Sequence, residues 1–204
     1  MEPAPLYTDV TVPLSDGAAY WLRATDGIRV RVGVWREGMR GTVLMFPGRT
    51  EYIEKYVHVA AAMRPHGLAT LIVDWRGQGL SDRLLPDSAT GHVGKFKDYQ
   101  QDVVAALAAA NRLGLPEPFF LIAHSMGGLV ARCLIQNLLP DPKRWIHRLV
   151  TIGTPHGGIE LSAIPDILEE LVAGKGNVLG AAIFKETRMR EYLKLSKSAD
   201  LKSL

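Results

Sequence analysis

The sequence predicts an α/β fold, a mostly parallel sheet with helices on both faces, and three observations predict it. Apolar runs at 42–46, 69–74, 119–123 and 148–153 alternate with helical stretches, so successive strands run the same way with a helix between them. The first three runs are rich in Val, Ile, Leu and Phe with little polar interruption, the composition of strands covered on both faces. The third run passes into Ala123-His-Ser-Met-Gly127, which holds a serine between small residues where a strand turns into a helix.

The elements follow in order. Residues 18–24 and 28–35 read as a hairpin turned at Asp26-Gly27; Ile28, Val30, Val32 and Val34 alternate with polar or small residues, which predicts one solvated face. Helical patterning covers about 53–63, 97–113 and 126–139, with Pro65, Gly67, Gly114 and Pro116 as breakers. In the last of these, Leu129, Val130, Cys133, Leu134 and Leu138 recur at helical spacing. From Thr154 the character changes. Gly157-Gly158 and Pro165 precede a short apolar helix at 166–173, the Gly174-Lys-Gly176 break and an amphipathic stretch at 181–195. The predicted organisation is a core over 1–153 and a cap-like helical segment over 154–204. No run like 69–74 follows residue 153, so the expectation is a sheet without its last strands and a chain ending within or just after the cap. An open edge left there would favour poor solubility or dimerisation.

Composition bounds the class. The 204 residues suit one domain, and 47% hydrophobic content suffices for a core. Cys133 is the single cysteine and Met1-Glu-Pro-Ala-Pro5 has neither the basic flank nor the apolar run of a secretory signal, so a cytoplasmic location is expected. Every hydrophobic run is too short to cross a bilayer. From Lys175 onward seven basic residues face three acidic ones, an excess that exceeds the whole chain's +3 and leaves the remainder slightly acidic. This tail reads first as a solvated helix and second as a weak contact for anionic lipid head groups. Nucleic-acid binding has no supporting signature, and no cluster of histidines with cysteines or carboxylates predicts a metal or other cofactor.

The serine turn carries the chemistry. A nucleophile elbow lifts a hydroxyl above the sheet, and only small neighbours such as Ala123 and Gly127 fit the sharp turn. A serine at a helix N-terminus can also be a mere cap. Acyl transfer further needs donors for the oxyanion, and the backbone N–H groups of Met126, just after the serine, and of Arg49, in the Pro47-Gly48-Arg49-Thr50 loop, are the candidates.

Three motifs, Phe46-Pro-Gly-Arg-Thr-Glu-Tyr-Ile-Glu-Lys-Tyr56, Asp74-Trp-Arg-Gly-Gln-Gly-Leu-Ser81 and Ala123-His-Ser-Met-Gly-Gly128, occur in the order and spacing of one family. The chain resembles α/β-hydrolases of the lysophospholipase and monoacylglycerol lipase group, which are serine aminopeptidase-like, over about 18–139. The resemblance implies that Asp74 and Arg76 shape the turn beneath the site. This chain has Pro47 where the family usually has His, and Ala123 where it usually has Gly. Thr151-Ile-Gly-Thr-Pro-His-Gly-Gly158 looks more like lipases and esterases with a Thr-Pro-His-x-Gly stretch. Both resemblances imply a cap beginning near Ile159.

A serine nucleophile needs a histidine base and a carboxylate to orient it, in the order serine, acid, histidine for this fold. After Ser125 only His147 and His156 remain. His147 begins a strand at the end remote from the chemistry and reads as structural. His156 is the better placed candidate base, with Glu160, and then Asp166, as its acid; in the resembled lipases the matching histidine belongs to the cap junction and is not the triad base. His124 is expected to point away from the serine into the structure, and His92 to order a loop over the site. The sequence therefore predicts a serine ester hydrolase acting on a lipid-like small molecule, a lysophospholipid or monoacylglycerol, through an acyl-enzyme on Ser125. Its rivals are a catalytically silent fold that binds an acyl or lipid ligand, and a peptidase or acyltransferase of the same fold.

Overall fold

The computed structural model describes residues 1–157 except 12–13, 88–89 and 138–145. The chain divides into two compact units, Met1–Thr154 and Pro155–Leu204; of the second only 155–157 are described, so the predicted cap and the basic tail lie outside the described residues.

The first unit is built on seven strands: β1 (Glu2–Ala4), β2 (Gly17–Arg23), β3 (Arg29–Trp35), β4 (Thr42–Phe46), β5 (Ala69–Asp74), β6 (Phe119–His124) and β7 (Ile146–Ile152). Three helices connect the later strands: α1 (Val57–Met63), entered through a 3-10 turn at Ile53–Tyr56, α2 (Tyr99–Arg112) and α3 (Met126–Asn137). The strand order is β1-β2-β3-β5-β4-β6-β7. β1, β2, β3 and β5 pair antiparallel in succession, whereas β5, β4, β6 and β7 run parallel. This is the α/β fold that the alternating pattern predicted, and β4 and β5 coincide with their predicted runs.

Every residue of β4 and β5 is buried, which requires cover on both faces. On one face Met45 and Ile72 pack with Trp35 of β3 and with Ile53, Tyr56, Val57 and Ala60 of α1 and its entry turn. Successive side chains alternate across a strand, so Leu44 and Leu71 face the other way. Val103, Ala106 and Ala110 of α2 and Val130, Ala131 and Leu134 of α3 are likewise buried. The Gln100 Nε2–H donates to the Val130 carbonyl at 3.1 Å and ties those two helices together.

One expectation needs correction, and one strand was not foreseen. The alternation in β3 predicted a solvated face, yet from Val30 to Trp35 every residue is buried. Arg31 is covered because it is fully ion-paired, and Gly33 because Ile53 lies against its backbone. β1 was also invisible in sequence: three residues, two of them exposed, pair with Ala19, Tyr20 and Trp21.

The topology fixes where a site can form. From β4 the chain crosses through α1 to β5 on one side, and from β6 it crosses through α3 to β7 on the other. Between β4 and β6, whose ends pair as Phe46 with Ala123, the connections diverge and open a crevice at the carboxyl ends of the strands. No helix among the described residues is long and apolar enough to cross a membrane.

Candidate active site

Ser125 stands at that divergence, between the end of β6 and the start of α3. Its backbone is left-handed, with φ of 49°, a conformation that costs a non-glycine residue on the order of 1–3 kcal/mol and persists only where its surroundings enforce it. Here they do. The Ser125 N–H donates to the Ile152 carbonyl of β7 at 2.9 Å, and the Ser125 carbonyl accepts from Gly128 N–H at 3.1 Å. Ala123 is fully buried, and a Cβ on Gly127 would run into the carbonyl oxygens of Phe46 and Pro47. A Cβ on Gly128 would likewise meet the Thr154 side chain. The small residues around the serine thus let α3 begin directly against the end of β4.

Met126, buried, is the first residue of α3, where N–H groups have no partner within the helix. Arg49 lies across the crevice in the loop after β4. That loop is braced along its length: the Trp75 Nε1–H donates to Pro47 O at 2.9 Å, Gly48 N–H donates to the Glu51 carboxylate, Thr50 N–H donates to Gln78 Oε1, and Arg49 Nη2 donates to Gly91 O at 2.5 Å. Thr50 is itself left-handed, with φ of 60°. Among the described residues no acceptor takes the Arg49 backbone N–H, although the amides on either side are both committed.

His124 turns its Nδ1 edge into the structure, onto buried groups, while part of its ring stays exposed. Its side chain is 36% exposed, and Nδ1 lies 3.0 Å from both Glu51 Oε2 and the Tyr56 hydroxyl. The Tyr56 O–H donates to the same Oε2 at 2.5 Å, and Lys55 Nζ pairs with Oε1 at 2.5 Å. Burial pushes the Glu51 carboxyl up, but these donors outweigh it and hold the group below the usual range. Burial and the adjacent carboxylate push the Tyr56 hydroxyl well up, so it remains a donor. Sequence reasoning missed this cluster. Glu51 and Tyr56 sat inside a recognised motif, but nothing local connects them to a residue 73 positions away.

Asp74 and Arg76 are structural, as the resemblance implied. Asp74 is fully buried; it accepts Arg31 Nε at 2.8 Å, Ile53 N–H at 2.8 Å and Leu80 N–H at 3.0 Å, fastening the turn that follows β5 to the entry of α1. Arg76 bridges Asp102 of α2 and Asp26 of the hairpin turn. His147 lies in β7, edge-on to Phe120. A Cβ on Gly77 would meet the backbone of His92, which places the 91–92 loop against the turn after β5. His156 is one of the described residues of the second unit, and Glu160 lies outside the described residues.

A crossover sheet of this order, with a strained serine where its connections diverge, defines an α/β-hydrolase. The chain belongs to the family described as serine aminopeptidase, S33 (Hydrolase_4), which it matches over residues 37–189. It is 39% identical over 95 residues to lysophospholipase L2 of Escherichia coli (strain K12), covering 47% of this chain and 28% of that protein. It is 30% identical over 142 residues to a probable lysophospholipase L2 of Haemophilus influenzae, covering 70% of this chain and 42% of that protein. The matches therefore span less than half the length of these relatives. Among solved structures, a soluble variant of monoglyceride lipase from Saccharomyces cerevisiae superposes with a TM-score of 0.56 at 23% identity, over 85% of this chain and 54% of that one. A thermostable carboxyl esterase from Bacillus coagulans does so with a TM-score of 0.59 at 16% identity, over 79% and 52%.

Proposed function

We propose that this chain is a serine hydrolase of carboxylic esters in lipid-like substrates, lysophospholipids or monoacylglycerols, working through an acyl-enzyme on Ser125. The observation that carries the reading is the left-handed Ser125 at the carboxyl end of β6, facing the loop after β4 across the strand divergence. Strain of that kind is kept where it aims a group.

In the proposed reaction Ser125 Oγ attacks the ester carbonyl carbon, and a general base takes its proton. The carbonyl oxygen gains the negative charge and is held by the N–H groups of Met126 and Arg49. Collapse breaks the C–O bond, the base returns the proton to the departing alcohol, and water then releases the acid from the serine. Support for Arg49 comes from its free amide between two committed ones. His156 and Glu160 are candidates for base and acid from chain order alone. The lipid-like substrate rests on the similarity to lysophospholipases and to a Bacillus subtilis phospholipase, YtpA, at 35% identity over 89 residues.

The test is covalent labelling of the full chain with a fluorophosphonate. The expected result is a label that Ser125→Ala abolishes, together with faster turnover of lysophospholipid and monoacylglycerol esters than of matched amides. An unlabelled wild-type chain would sink the proposal. Faster amide turnover would favour the peptidase reading suggested by the family's name. Labelling of His156→Ala at the wild-type rate would remove His156 from the scheme and leave Ser125 standing. The silent-binder reading draws on the lack, among the described residues, of any hydrogen bond to Ser125 Oγ, and predicts vesicle association that survives Ser125→Ala without turnover.

A further inference from the structure

We propose that Glu51 is a positioning residue: one of its carboxylate oxygens sets the spacing between the two oxyanion donors. The inference rests on the serine-hydrolase reading above and deepens it. Those donors, Arg49 and Met126, belong to separate segments, the loop after β4 and the first turn of α3 after β6. The residue preceding Arg49 is Gly48, and the residue preceding Ser125 is His124. Both bond to the same atom, Glu51 Oε2, the first through its backbone N–H and the second through Nδ1 at 3.0 Å.

The arrangement has little slack. Glu51 is 5% exposed, and Tyr56, buried behind it in the α1 entry turn, donates to that same Oε2 at 2.5 Å and lies 3.0 Å from His124 Nδ1. A Cβ built on Gly48 would sit 2.7 Å from Oε2 and 3.1 Å from His124 Nδ1, so carboxylate, loop backbone and imidazole fill the space between them. With the carboxylate ionised, the His124 Nδ1–H is the donor and three hydrogens converge on one oxygen. The Thr50 end of the loop is held independently by Gln78, while Trp75 Nε1–H holds the carbonyl of the same Pro47–Gly48 peptide whose N–H Glu51 accepts. Glu51 and Trp75 thus hold the two sides of one peptide, and Glu51 is the one that also ties it to His124, just ahead of the Gly48–Arg49 peptide that must point its N–H into the crevice. An oxyanion donor acts only if it is already placed where the charge develops.

Length of side chain, rather than charge, is the variable this assigns. Glu51→Asp keeps the charge and withdraws it by one methylene, out of reach of Gly48. Glu51→Gln keeps an oxygen in place for Gly48 and Tyr56 and gives up the charge and its pairing with the half-exposed Lys55. Inactivation by the fluorophosphonate, measured below each variant's melting temperature, separates reversible binding (KI) from the covalent step (kinact). The expected result is a kinact lower by about 10²-fold in Glu51→Asp with KI unchanged, and most of the wild-type kinact in Glu51→Gln. Wild-type kinact in Glu51→Asp, or an equal fall in both variants, overturns the inference while labelling of the wild type still upholds the hydrolase. A wild-type chain that does not label overturns both. Should Glu51→Asp fail to fold, amide exchange in the wild type decides: Gly48 N–H protected throughout and Arg49 N–H protected only after phosphonylation supports the role, and equal protection beforehand overturns it.

Discussion

At the scale of single residues the site is a matter of what is small and what is strained. Gly127 has no side chain because the carbonyls of Phe46 and Pro47 occupy the space a Cβ would need, and neither can move without shifting β4. Gly127→Ala is expected to destabilise by about 3 kcal/mol, in the range of core overpacking, and to lower Tm by roughly 6–12 °C. Thermal unfolding checks it, and a Tm within 2 °C of wild type would mean α3 shifts away more easily than the packing implies. The strand–serine–helix turn was legible in the sequence because its logic is local: a strand, small neighbours and a serine within five positions. The Glu51 cluster was not. It joins Gly48 and His124 through folding, and a histidine beside a serine carries no sign of which way it turns.

Among the elements, β4 and β5 were read with their limits because fully covered parallel strands announce themselves as unbroken apolar runs. β3 could not be read so. A charged residue at position 31 signals a solvated face unless its partners are known, and those partners come from β5 and from the turn before α1. Arg31 donates to Asp74 and to both oxygens of Glu54, and it also reaches Pro5 O at 2.8 Å, so it welds the N-terminal segment, β3, β5 and the α1 entry into one block. Replacement by methionine fills much of the volume and leaves two buried carboxylates without their counter-ion. The expected loss is about 3–5 kcal/mol, the range for removing one partner of a buried pair. Urea unfolding of Arg31→Met measures it; a midpoint unchanged from wild type would show that solvent reaches the carboxylates.

For the whole molecule the two buried ion clusters set the dependence of stability on pH, because each holds two carboxylates against one guanidinium: Asp74 and Glu54 on Arg31, Asp102 and Asp26 on Arg76. In the Arg31 cluster all three groups are buried and leave an excess negative charge, whereas in the Arg76 cluster Asp26 is partly exposed and Asp102 is the buried acid; in both, a proton taken up by the most buried acid relieves the cost of its burial. Burial, only partly offset by the arginine and backbone donors, pushes Asp74 to about 6 and Asp102 to about 6. Between the ordinary aspartate range near 3.8 and about 6, the folded chain keeps protons that the unfolded chain has released, so stability falls as pH rises through that window. Glu51 and Asp26 act in the opposite sense. Their carboxyls are held below the ordinary range, so the stability they contribute is present above it and is lost as pH falls through their folded values. The two slopes meet in a maximum near the ordinary carboxylate values, below the usual optimum for a globular protein. Urea midpoints from about pH 3 to 7 locate that maximum, and Asp102→Asn, which removes one of the two acids with raised values, is expected to roughly halve the decline between about pH 5 and 6.5. A midpoint that climbs steadily from pH 5 to 7 would show that both clusters hold all their carboxylates ionised, and that the arginines outweigh burial.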